Sequence, residues 1–276
     1  MDGSRSTAVA SIGFSSLLFA SFGFGQQPPP SAPPADASGT PAARLGNPYS
    51  YLTQPLLKKV VDAHGGEARL EVIEAMDLRM EGLVLDRDEL VEVRIRFAQG
   101  PGRTFLKDVQ ADGIRILQGY DGDRYWMTRD GRPVVPLPGP AENALFRQAQ
   151  RARFLAGILD LARYGPRVEY RGRIDWEGRP LDCFEHPGRR GDAVRDYADP
   201  ETHLLVLSES PSEKELTLYD DVRDVEGLRL PHRIRIYESG KPRDEMSLRA
   251  DLKITSCAFA PLSLDTFRLP AGPSPP

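Results

Sequence analysis

From Asp77 onward, apolar and polar side chains take turns along the chain, a period that suits an extended strand with one buried face. In DLRMEGLVL the inward set is Leu78, Met80 and Val84, with Arg79 and Glu81 outward. In LVEVRIRF it is Val91, Val93, Ile95 and Phe97, against Glu92, Arg94 and Arg96. Met246, Leu248, Ala250, Leu252 and Ile254 repeat the pattern near the C-terminus. Turn residues interrupt the runs at Gly100-Pro101-Gly102, Asp112-Gly113, Asp121-Gly122 and Asp130-Gly131. Short alternating runs punctuated in this way predict an antiparallel meander.

Two stretches follow a helical period instead. Leu52 to His64 places Leu56, Leu57, Val60, Val61 and Ala63 on one stripe, and Gly65-Gly66 ends it. A shorter helical piece is expected over Glu67 to Ile73. Between the strands, Ala141 to Tyr164 puts Leu145, Phe146, Ala149, Phe154, Leu155, Ile158, Leu159 and Ala162 on one side, before Gly165-Pro166. The expected architecture is mainly β (α+β): one antiparallel sheet with an N-terminal helix and an inserted helical segment.

The folded part has a preface of another kind. Residues 1–25 carry Arg5, then an apolar stretch from Ala8 to Phe24, with Gly23 and Gly25 placed for cleavage before Gln26. This reads as a secretory signal peptide. An uncleaved membrane anchor is the alternative, although Ser and Gly dilute a stretch that falls short of the roughly 20 apolar residues needed to span. Residues 26–48 are rich in Pro and Ala and predict a disordered linker. The folded domain is expected over 49–270, with a disordered tail at 271–276. Export implies the periplasm; the anchor reading implies attachment to a membrane.

The chemistry-bearing residues are dispersed. A net charge of −4 over 276 residues gives no basic footprint for nucleic acid. His64, His186, His203 and His232 form no pair at metal-ligand spacing, and no metal or cofactor is expected. There is no nucleophile elbow, phosphate-binding loop or dinucleotide fingerprint, so no catalytic residue is assigned and the chain is not read as an enzyme. Asp220, Asp221, Asp224 and Glu226 could in principle offer oxygen ligands to calcium, but a solvated hairpin end is expected. His232 reads as a structural histidine. Cys183 and Cys257 fall on strands that a meander keeps apart, which disfavours a disulfide despite an oxidising compartment.

Three segments in order resemble the LolA/LolB-like outer-membrane lipoprotein-sorting superfamily. They are DAHGGEARLEVIEAMDLRMEG; RFAQGPGRTFLKDVQADGIRILQGYDGDRYWM; and the run from YRGRIDWEGRPLDCFEHPG through YADPETHLLVLSES and GLRLPHRIRIYESG to LSLDTFRLP. The resemblance spans about Leu52 to Pro270. It implies a strongly curved antiparallel sheet, an unclosed half-barrel, with an apolar concave face partly lidded by helices. The floor would come from Val93, Ile95, Phe97, Trp126, Met246 and Leu248, and the lid from Phe146, Phe154, Leu155, Ile158 and Leu159. Arg103 lies where members of the family carry an arginine that latches the lid.

Such a cavity stabilises an acyl chain by about 0.8 kcal/mol per buried methylene, without covalent chemistry. Apolar alternation alone is equally satisfied by a filled core. The expectation from the resemblance is a monomeric periplasmic carrier, chaperone or receptor for lipid or lipoprotein acyl chains, meeting sorting partners at the inner and outer membranes. An envelope sensor or scaffold that uses the same fold to bind a protein is the alternative.

Overall fold

The structure, a computed structural model, describes residues 50–86, 89–101, 104–133, 167–187, 193–211, 214–239 and 248–270. The signal, linker and tail expected at 1–25, 26–48 and 271–276 lie outside these residues, as does the helical segment expected at 141–164.

The expected first helix is α1, Ser50–Ala63, followed by α2, Glu67–Glu71. Both are short, and no helix among the described residues is long and apolar enough to cross a membrane. The first meander is β1 (Met76–Asp86), β2 (Glu89–Gln99), β3 (Phe105–Ala111), β4 (Ile114–Tyr120), β5 (Tyr125–Arg129) and β6 (Arg132–Pro133). The second is β7 (Glu169–Trp176), β8 (Arg179–Pro187), β9 (Ala193–Ala198), β10 (Leu205–Ser210), β11 (Glu215–Val225), β12 (Leu228–Glu238) and β13 (Leu248–Ala258).

The two meanders form one 13-stranded sheet, ordered β6-β5-β4-β3-β2-β1-β13-β12-β11-β10-β9-β8-β7. Its neighbours are antiparallel throughout, and β1 of the first meander meets β13 of the second at the centre. Two-residue turns fix the hairpins. Asp112-Gly113, Asp130-Gly131, Glu177-Gly178 and Glu226-Gly227 all have both residues at positive φ, the geometry whose twist matches that of the flanking strands.

The sheet is mainly β structure left open, with β6 and β7 as its two edges, and it is strongly curved. Phe105 and Tyr125 near one edge share a single buried cluster with Tyr170 and Phe184 at the other, around Leu57, Val60, Val61 and Leu70 of the helices. Strands so far apart in sheet order can share a core only if the sheet wraps around the helix. Gly82 assists at the centre, since a Cβ there would fall 2.0 Å from the Asp251 carbonyl oxygen. Such close backbone approach at a strand glycine lets neighbouring strands bend together.

α1 is tied down at its C-terminal end. The Gly66 N–H reaches Val61 O and the Gly65 N–H reaches Asp62 O, closing the helix. His64, fully buried, then joins three elements: its Nδ1 lies 2.7 Å from Arg229 O, and its Nε2 accepts the Leu205 N–H at 3.1 Å. This requires the neutral Nδ1–H form, and burial lowers the imidazole pKa accordingly. Gly65 cannot be replaced cheaply, because a Cβ would lie 2.6 Å from Gly227 O.

Candidate functional site

Cross-strand register sorts the side chains of the sheet onto two faces. The inner face carries Leu78, Met80 and Val84 of β1 opposite Phe97, Ile95 and Val91 of β2. It continues through Phe105, Lys107, Val109 and Ala111 of β3, Ile114, Ile116, Gln118 and Tyr120 of β4, and Tyr125 and Met127 of β5. The inward residues expected on β1 and β2 all stand on this face.

The inner face has two ends of different character. At one, α1 closes over Leu78, Phe97, Phe105 and Tyr125, and Phe97 retains only 2% of its surface. At the other, Val93, Ala111, Ile116, Ala250 and Leu252 form a separate apolar row. Around that row Met80, Val84, Val91, Ile95, Ile114, Met127 and Ile236 remain partly accessible. Val93 and Ile95 therefore lie in the second region, while Phe97 belongs to the filled one.

Trp126 departs from expectation. It pairs with Gly119 on the outer face, because Tyr125 and Met127 take the inward positions of β5. Its indole lies against Gly119, where a Cβ would fall 2.3 Å from the ring, and its Nε1–H donates to Phe267 O at 2.7 Å. With Ala98, Leu106 and Phe267 it makes a small outer core that fastens the C-terminal turn Leu264–Phe267. Trp126 is thus a clasp for the chain end and not part of the inner floor. Leu248 is half-buried and pairs with Tyr237 beyond an irregular step in register, outside the packed inner clusters. Met246, Phe146, Phe154, Leu155, Ile158, Leu159 and Arg103 lie outside the described residues.

The outer face is a lattice of ion pairs. Arg96 grips Asp77 with two nitrogens at 3.0 and 2.8 Å, and Arg115 does the same to Asp108 at 3.0 and 2.7 Å. Arg233 reaches Asp251 at 2.9 and 2.7 Å, holding that carboxyl below its usual pKa range. A groove crosses this face between Glu81, Arg94, Gln110, Arg115, Arg233 and Lys253. Its mixed charges suit no acyl chain.

The other candidates have local duties. Asp220 takes Arg235, Asp221 takes Arg223, and the Asp224 carboxylate accepts the Gly227 N–H. His232 is buried with its Nδ1 3.1 Å from Leu230 O, a structural setting as expected. His186 and Asp196 form a buried pair at 2.9 Å. Cys183 and Cys257 are both free, on strands β8 and β13 with four strands between them. Burial pushes each thiol up to about 11, away from thiolate chemistry. No group of metal-ligating side chains occurs among the described residues.

Sequence reading missed one inner-face residue that stands out chemically. Lys107 occupies an inward position of β3 between Phe105 and Val109, and only the continuation of the register from β2 reveals it.

No protein-family model and no curated relative matches the sequence. Solved structures do match in shape. A DUF1329 family protein from Desulfovibrio piger superposes over 78% of this chain and 97% of its own, with a TM-score of 0.50 and 11% identity. A LolA superfamily protein from Nitrosomonas europaea gives the same coverage and TM-score at 14% identity. A lipoprotein-sorting domain from Vibrio parahaemolyticus superposes more loosely, over 76% of this chain and 92% of its own, with a TM-score of 0.41 and 8% identity. The class so defined is one of fold. This chain has the open, helix-filled antiparallel half-barrel found in LolA superfamily structures.

Proposed function

We propose that the chain is a periplasmic, non-enzymatic carrier or receptor that holds the acyl chain of a lipid or lipoprotein against the inner face of its sheet. The observation that carries this reading is the second inner region. Seven apolar side chains from β1, β2, β4, β5 and β12 surround a buried apolar row while keeping accessible surface of their own. Apolar surface in this position gains from covering by a hydrocarbon chain, at roughly 25 cal/mol per Å² removed from water. The likeness of fold to a LolA superfamily protein supports the same reading, as does the export signal read at residues 1–25. Val93 and Ile95 are assigned to the binding surface, with Phe97 supporting it from the filled side.

Native mass spectrometry of the full chain, isolated gently from an envelope fraction, tests this. Bound species of lipid or acylated-peptide mass are expected, and Ile95→Asp should lose them while keeping its circular dichroism. A clean apo mass accompanied by a stable protein complex would replace the carrier with a partner-binding domain.

A further inference from the structure

Lys107 stands where the alternation of β3 calls for an apolar side chain. Phe97 of β2 and Gln118 of β4 face it across the ladders, and Phe105 and Val109 flank it along its own strand. Gln118 turns its amide nitrogen to Met127 Sδ at 3.5 Å. No carboxylate pairs with the Lys107 ammonium among the described residues. Burial acting alone pushes its pKa down to about 8, which still leaves it mainly charged at neutral pH.

A second polar group on the same wall is also without a partner. The Tyr125 hydroxyl is buried, with the residue 5% exposed, and has no hydrogen-bond partner among the described residues. Tyr125 pairs with Tyr120 two positions along the ladder from the Gln118–Met127 pair, in the next row on the same face, and on a sheet that wraps inward the long side chains of adjacent rows converge. Buried polar groups normally find partners, so an unsatisfied buried hydroxyl on Tyr125 and a half-buried ammonium on Lys107, both on one apolar wall, mark a place for a polar ligand atom.

The other titratable groups near this wall are Tyr120, Arg129 and, on β13, Cys257. Arg129 is already engaged by Asp130 at 3.9 Å. Asp86 and Glu89 are register neighbours at the far hairpin tip, eight residues beyond Leu78, which faces Phe97 in the Lys107 row. One free positive charge and one hydroxyl donor suit a monoanion with two acceptor oxygens.

We infer that Lys107 and Tyr125 receive the carboxylate of a single-chain fatty acid, Lys107 as ion-pair partner and Tyr125 as hydrogen-bond donor. The tail then runs along the inner row toward Val109, Ile116 and Val93. This rests on the acyl-chain reading of the inner face and names the head group that reading leaves open.

Fluorescence titration of the full chain with cis-parinaric acid and with its methyl ester tests the inference. Both ligands offer the same tail, and only the acid offers a charge. The acid should bind about tenfold tighter, the scale of a charge-assisted hydrogen bond. Lys107→Met should remove that preference while leaving ester affinity unchanged, and Lys107→Arg should keep most of it. Tyr125→Phe should weaken the acid a few-fold and spare the ester. If the unaltered chain binds both ligands equally, or Lys107→Met retains the preference, the head-group assignment falls while the cradle stands. If neither ligand binds, the cradle falls and the inference with it.

Discussion

The two ends of the inner face are built from the same strands and the same alternation, yet among the described residues only one is filled. Around Phe97 and Leu78 the helix α1 supplies Leu57, Val60 and Val61, completing a core that reaches both edges of the sheet. Two to four residues farther along β1 and β2, Ile95 and Val93 lie in a different cluster, with Met80 packed against both clusters and half-accessible side chains around them. The difference lies in what the short helix can reach. A 14-residue helix spans about 21 Å at 1.5 Å per residue, while an 11-residue strand runs about 36 Å. The helix therefore stabilises one end of the inner face and leaves the apolar side chains at the other partly accessible.

Substitutions on either side of this divide should behave differently. Phe97→Ala removes a ring from the closed core and should cost about 4 kcal/mol in chemical denaturation. An effect below about 1 kcal/mol would mean that the end called filled is loosely packed. His64→Ala should cost about 3 kcal/mol, since it leaves Arg229 O and the Leu205 N–H buried without their partner.

The same histidine sets a pH dependence. Its folded pKa lies below the ordinary 6.5, so the unfolded chain takes up the proton first. The contribution is fully present above about 6.5 and is lost as pH falls through the depressed folded value. Melting curves on the acid side of neutrality should show this slope, and His64→Gln should flatten it.

Ile95→Ala, at the accessible end, should cost only about 1 kcal/mol in stability while weakening uptake of a fluorescent fatty acid. A loss as large as that of Phe97→Ala would erase the distinction between the two ends. Lys58→Ala breaks the exposed pair with Asp62 on the outer side of α1. Thermal denaturation should detect less than about 0.5 kcal/mol.

How much was legible in the sequence follows the same divide. Periodicity exposed β1 and β2 residue by residue, because Arg and Glu at every second position leave only one register with a buried face. The Asp-Gly turns placed the hairpins, and the two glycines after His64 ended α1. What periodicity could not supply was parity carried across a turn. Trp126 looked like floor because it is large and apolar, but its face depends on the pairing of β5 with β4 and on the room left by Gly119. Lys107 was overlooked for the converse reason, since a lysine within a strand ordinarily points to water. His64 was read as one of four scattered histidines. Its partners lie 141 and 165 residues away, a separation at which local pattern carries no information.

In the proposed function a hydrocarbon chain occupies the accessible end of the inner face. The most direct measurement is photocrosslinking with a diazirine-bearing fatty acid, followed by peptide mapping of the adducts. Adducts are expected within β1, β2, β4 and β5, on residues such as Met80, Ile95, Ile114 and Met127. Adducts confined to the charged outer face, or to the solvent side of α1, would contradict it.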